Sequence, residues 1–558
     1  MDIHAQTERK NKVTLVILLI LFNTYFFQHY DNIPNPNEQS RIYLTAAIVD
    51  NHKISIDEQI KRFGDTIDIS RHNGKAYCDK APGLSFLAVP FYAALKIISK
   101  IFGFELTYPV ILKFLRVTLL GIPSALFSLI MLSVIKRHIK DFQLSLVITA
   151  FYSTGTIAYT YSNLLFGHQA GAMAAFLLFY LITKDSVSGW HRLLLCGFIA
   201  GLSVIIEYPL IIIASVLSVY QLLVLDKKSK YIFFIIGGVA AASVLMIYNK
   251  SAFGSVISTG YSHIANPTFA QFHREGILGI TTPKISAFFG SFFSSMRGLF
   301  YFMPALIFSL AGIYYMIKNN LQRGEGILIL FIFLLMTYFI SSFSYWQAGG
   351  TISQRHLTAL IPFMMIPLAI FTNIVIEKNN KIILLTIASL ILFSMLLIPY
   401  ATIPFPFFSV AYPNPLFELP LNLWRWGAIP PNIATLTGLK GLSSAVPFII
   451  IWLLFASYIT YHLLSYSKGM FSPLFYTISV ICITFILITG ASFVAKEKNY
   501  ETKMKDVIGI MENFRPGKNS CEYVIENRSV RFSKTTCYAF LKRSADGIKS
   551  IREAENGL

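Results

Sequence analysis

The run VTLVILLILFNTYFFQ (residues 13–28), broken off by HYDNIPNPNEQSRIY (residues 29–43), decides the fold of this chain. Val13 to Gln28 carry no charge and read as a membrane-crossing helix. Backbone N–H and C=O groups cannot stay unpaired in lipid, so spans of this kind must be helices. No small-residue cleavage site precedes the polar segment, which makes the run a retained span rather than a removed signal peptide. The polar segment from His29 to Ala81 then concentrates Asp31, Glu38, Arg41, Asp50, Asp57, Asp65, Asp68, Asp79 and Lys80. A charged loop directly after the first span suggests chemistry at the membrane surface.

The remaining chain repeats the pattern. Of 558 residues, 54% are hydrophobic and 13% charged, against about 25% charged in soluble domains. The reading is an all-α polytopic membrane protein with about 13 spans, drawn from apolar runs near the roughly 17 to 25 residues that crossing takes. They lie near 13–28, 110–135, 142–161, 170–184, 193–207, 209–225, 231–248, 299–317, 326–343, 357–376, 382–399, 445–465 and 472–495. Residues 1–495 form the transmembrane module, with 29–109 as its first extracytoplasmic loop with interfacial helices, and 496–558 form a small extracytoplasmic tail. Leu84 to Phe102 is apolar, but Lys96 and Lys100 interrupt it, and it is expected to lie on the membrane surface.

Short basic clusters fall in alternate loops: Arg9, Lys10 and Lys12; Lys136, Arg137 and Lys140; Lys227, Lys228 and Lys230; Lys378 and Lys381. Such clusters mark the cytoplasmic face. The N-terminus is then cytoplasmic, the C-terminus extracytoplasmic, and the chain belongs in the cytoplasmic membrane. The net charge of +19 reflects this topology and contact with anionic lipid; no nucleic-acid motif accompanies it. Cys521 and Cys537 fall in the external tail, where a disulfide is permitted.

Chemistry-bearing residues gather in the outer loops. Glu38 follows the first span within about ten residues, at the lipid headgroup level. Tyr77-Cys78-Asp79-Lys80-Ala81-Pro82-Gly83 leads into the apolar segment at 84, where an ammonium and helix-terminal N–H groups make an anion site. A third loop carries His263, His273 and Arg297. Arg355, in Gln354-Arg355-His356, stands on the face poor in short-loop positive charge and suits a bidentate phosphate contact. His168 and Glu207 occupy very short turns that hold side chains rigidly over the surface.

These residues resemble motifs of the GT-C superfamily of membrane glycosyltransferases, in the branch of protein O-mannosyltransferases and the aminoarabinose transferase of lipid A. Asn37-Glu38 and Arg41-Ile42-Tyr43 look like that family's acidic pair and following Arg-Tyr. Asp79-Lys80-Ala81-Pro82-Gly83-Leu84 looks like its acidic-Lys-Pro-Pro stretch before a surface helix. Asn37 departs from the acidic pair and leaves Glu38 as a single carboxylate. The resemblance implies a GT-C-type bundle moving a sugar from a polyprenyl-phosphate donor to a lipid, glycan or protein acceptor at the outer face. Glu38 is then the expected catalytic base, with Lys80, Arg355, Arg297 and Arg41 on the donor phosphate. Asp79, His168, His263 and His273 are accessory candidates, and Asp79 with His263 or His273 would be ligands for a divalent metal. A polyprenyl-linked glycan polymerase or ligase, and a lipid-linked sugar flippase or transporter, are the alternatives. A transporter would place ionisable groups at mid-span, whereas polar groups here collect at one face.

Overall fold

In the computed structural model the described residues are 3–30, 34–184, 189–410, 412, 414–425 and 427–467. They are helical almost throughout, with one two-stranded hairpin. Among them, seven helices are long and apolar enough to cross a membrane, and shorter apolar helices of 10–17 residues stand between them. The count of about 13 spans is not reproduced one for one. The run near 472–495, Cys521, Cys537 and the 496–558 tail lie outside the described residues.

The elements that position the site are α1 (Ile3–Thr24), α2 (Pro36–Asn51), β1 (Ile69–His72), β2 (Lys75–Cys78) and α3 (Gly83–Phe102). They are joined by α4 (Tyr108–His138), α5 (Gly167–Thr183), α6 (Trp190–Ile206) and α7 (Arg355–Glu377). The first polar segment thus begins with a regular helix and continues into the hairpin. Asn35 caps α2 by accepting from the N–H of Asn37 at 3.0 Å, and Pro36 fills the first helical position. Both residue types suit those places, an Asx acceptor at the cap and a proline whose missing N–H costs nothing there.

Helix α3 runs parallel to α2 and is fastened along its length. Ser85 Oγ donates to the Arg41 carbonyl, and Lys96 Nζ reaches Asp50 at 2.5 Å. Tyr92 OH donates to the same carboxylate at 2.8 Å. Its other face leaves Leu87, Phe91, Ile98 and Phe102 exposed. Length and composition alone would let α3 cross a membrane, yet this attachment keeps it beside a helix rich in polar groups. At its start Gly83 has no room for a side chain: a Cβ would stand 2.7 Å from the Ile205 backbone at the end of α6.

Helix α4 is a single 31-residue helix with a π turn at Val117–Gly121. At its far end Lys136 pairs with Glu8 of α1 at 2.9 Å, and His138 meets Glu325 at 2.6 Å. Its near end carries Lys113 and Arg116 inside the bundle. Lys113 Nζ donates to the carbonyls of Thr24 and Phe26, satisfying acceptors where α1 stops. Polar groups thus close both ends of a packed apolar interior.

Candidate active site

At the end of the bundle bearing α2 and the hairpin lies a cavity of about 270 Å³, and it draws its walls from segments far apart in sequence. The hairpin supplies the first group. Asn73 and Gly74, both at positive φ, form its two-residue turn. The antiparallel register pairs Ile69 with Cys78, so Asp68 and Asp79 face each other at the open end. Lys80 Nζ lies between them, 2.9 Å from Asp68 Oδ2 and 2.8 Å from Asp79 Oδ2. An ammonium has three N–H donors, which leaves one for something else. Burial pulls the Lys80 ammonium down, but Asp68 and Asp79 together outweigh it and hold it above the usual lysine value. Burial pushes the Asp79 carboxyl up to about 6, against the pull of Lys80. Among the described residues Asp79 Oδ1 has no hydrogen-bond partner.

Helix α2 supplies Asn37 and Arg41. Arg41 Nε donates to Asn37 Oδ1 and its Nη1 to the Ala81 carbonyl, each at 3.1 Å, while Nη2 lies 3.8 Å from Glu207 Oε2. Glu207 sits where α6 ends in an extended residue. Its carboxyl is raised by burial, against the pull of Arg41 and Arg355. Glycine at 167 makes this placement possible: a Cβ there would stand 2.2 Å from Glu207 Oε2. His168, at the start of α5, places Nδ1 3.6 Å from Glu207 Oε1.

Arg355 and His356 open α7 and both line the cavity. The Arg355 guanidinium lies over the Phe166 ring at 5.6 Å, its Nε has no hydrogen-bond partner, and it makes no ion pair among the described residues. Tyr261, His273 and Tyr345 complete the wall. The rings of His273 and Tyr261 stack at 4.4 Å, and burial followed by Lys80 lowers His273 to about 4.

Of the residues expected from the sequence, Lys80, Arg355, Arg41, Asp79, His168 and His273 converge on this cavity. Three do not. Glu38 is 1% exposed and bound on both oxygens: Arg116 Nε donates to Oε1 at 2.8 Å and Nη2 to Oε2 at 2.6 Å. The Leu165 N–H donates to Oε1 as well. A buried carboxylate held by three N–H donors and absent from the cavity lining is an anchor, out of reach of a hydroxyl bound there; the expectation of Glu38 as base is corrected on that ground. Arg297 is fully buried and spends its guanidinium on the carbonyls of Met296, Gln347, Gly349 and Phe408. It braces the Tyr345–Gly350 wall from behind, so its expected phosphate contact is corrected too. His263 bonds Ser258 at 2.9 Å and stacks on Phe253 at 4.9 Å, outside the cavity. Among the described residues neither it nor Asp79 belongs to a cluster of three metal-type donors.

Asp68, His356 and Arg116 were not singled out from the sequence. Asn73-Gly74 between two short runs is a hairpin signal that would have set Asp68 opposite Asp79. A lone arginine in an apolar run signals a buried partner, which here is Glu38.

No family model and no curated protein matches the chain. Among solved structures it is similar to ArnT from Cupriavidus metallidurans bound to undecaprenyl phosphate, at 11% identity, over 93% of this chain and 88% of that one, with a TM-score of 0.47. The apo state of the same protein gives 12% identity over 90% and 80%, with a TM-score of 0.43. The Archaeoglobus fulgidus oligosaccharyltransferase in its apo form gives 12% identity over 94% of this chain and 60% of that one, with a TM-score of 0.39.

Proposed function

We propose that this protein is a membrane glycosyltransferase of GT-C type. It moves a sugar from a polyprenyl-phosphate donor to a hydroxyl acceptor at the outer face of the cytoplasmic membrane. One observation carries the reading. Arg355, a cation with no ion pair among the described residues, and Asp79, with an unpartnered carboxylate oxygen, line the same cavity at the end of a bundle of apolar helices. The donor's lipid tail would stay between the helices while its sugar phosphate enters the cavity.

The leaving group is an anionic phosphate. Arg355, the remaining N–H of Lys80 and the Arg41 guanidinium supply the positive charge that holds it. As the sugar carbon–oxygen bond to phosphate breaks, its electron pair goes to the phosphate. The acceptor hydroxyl forms the new bond and gives its proton to Asp79, whose raised pKa suits a base near neutral pH. Direct attack inverts the anomeric centre. Removing one such electrostatic contact typically costs about 3 kcal/mol, or roughly a hundredfold in rate.

Mass analysis of envelope glycolipids and glycoproteins from cells with and without the protein tests the reading. One sugar increment on a defined acceptor, lost with the protein and with Asp79→Asn, is the expected result. Identical glycan profiles alongside a change in lipid-linked sugar distribution across the membrane would replace transfer by translocation.

A further inference from the structure

The structure assigns to His168, Glu207 and His356 a binding site for one zinc-class divalent cation. His168 Nδ1 lies 3.6 Å from Glu207 Oε1, and the His168 and His356 rings meet edge to face at 5.4 Å. One donor atom from each of the three residues falls within 4.8 Å of the other two. Two neutral imidazoles and one carboxylate form the donor set of an open zinc site, with a fourth position left for a small ligand. Hard oxygen-seeking cations such as Mg²⁺ prefer carboxylates and water, so the set selects against them.

Two further observations point the same way. His356 Nδ1 and Glu207 Oε2 are buried with no hydrogen-bond partner, and a polar atom in that state is costly unless something completes it. The three ligands also come from three rigid starts and ends, of α5, α6 and α7, and Gly167 keeps open the space into which Glu207 projects. Zinc bonds of about 2.0–2.1 Å would draw these donors inward by roughly an ångström. Arg355 and Arg41 stand beside the site, and Arg41 is 3.8 Å from Glu207 Oε2. A dication there shares the Glu207 carboxylate with Arg41 and stands beside like charges, so its binding rests on the three ligands. His168, Glu207 and His356 line the same cavity as Arg355, where an anionic oxygen could complete the ligand set. Neither the ligand set nor its test depends on sugar transfer.

The experiment uses full-length protein in detergent, stripped with a chelator and dialysed against Zn²⁺, with bound metal counted by elemental mass spectrometry. One saturable Zn²⁺ per chain is expected. His356→Gln and Glu207→Gln should each weaken it by at least about tenfold, while His263→Ala, at an imidazole outside the cavity, should leave it unchanged. Co²⁺ loaded in place of zinc gives a second readout, a tetrahedral visible absorption that His168→Ala abolishes. Should a variant misfold, the wild-type stoichiometry and the Co²⁺ spectrum still decide. Absence of a saturable site in the wild type, or a site that survives the ligand substitutions, would overturn the assignment.

Discussion

Glu38 and Asn37 are neighbours in sequence with opposite fates. Successive helical residues are turned by about 100°, so the frame set by the Asn35 cap sends Asn37 to the cavity and Glu38 to Arg116. Residue type alone favours the carboxylate for chemistry, and only the phase of α2 reverses that choice. Glu38→Gln strands the Arg116 guanidinium, 5% exposed, without its counter-ion, and breaking such a pair costs about 3–5 kcal/mol. Thermal unfolding in detergent should show a large loss for Glu38→Gln and substantial recovery when Arg116→Met is added. A Glu38→Gln protein as stable as the wild type yet inactive would restore Glu38 as a base.

The base assigned to Asp79 has a pH signature of its own. With its pKa raised to about 6, the carboxylate form needed to accept a proton is present above that value and lost below it. The transfer rate should therefore fall about tenfold per pH unit below about 6. Asp68→Asn, which leaves the base in place, should keep an acid limb. A rate flat from pH 7 to 5 would remove Asp79 from the proton transfer.

At the scale of elements, the spans were legible because burial in lipid forces long uncharged helical runs. The cations at helix ends, Lys80 and Arg355, were legible because charges at such positions have few other uses. The hairpin was not read, since two four-residue strands inside a polar segment give too little alternation to detect without weighing the Asn73-Gly74 turn. That turn decides which carboxylate shares Lys80. Helix α3 was expected on the membrane surface because of its lysines, and by length and composition it could equally cross. What the structure adds is that Lys96 is held by Asp50 of α2 at 2.5 Å, a partner that no sequence spacing of 46 residues announces.

At the scale of the molecule, α2, the hairpin, the Tyr261–His273 stretch and the starts of α5 and α7 meet over one end of the bundle. The residues that brace this meeting are buried, whereas several of those that line it are only half-buried. Arg297 holds the Tyr345–Gly350 wall through backbone carbonyls, and the Glu38–Arg116 pair holds α2 and the turn before α5 to α4. Sequence separates Arg297 from Arg355 poorly, because both stand at or just before a helix start among aromatic residues. Their partners distinguish them: Arg297 is surrounded by carbonyls, whereas Arg355 meets a ring face and the cavity.

The central claim is that Arg355 and Lys80 hold a lipid-borne phosphate in this cavity. Affinity of purified full-length protein for polyprenyl phosphate measures it most directly, compared among wild type, Arg355→Ala, Lys80→Ala and Lys96→Ala on α3. A charge-assisted hydrogen bond is worth about 1.5–3 kcal/mol. The first two substitutions should therefore weaken binding by at least about tenfold, and Lys96→Ala should leave it unchanged. Wild-type affinity in folded Arg355→Ala and Lys80→Ala proteins would contradict the claim.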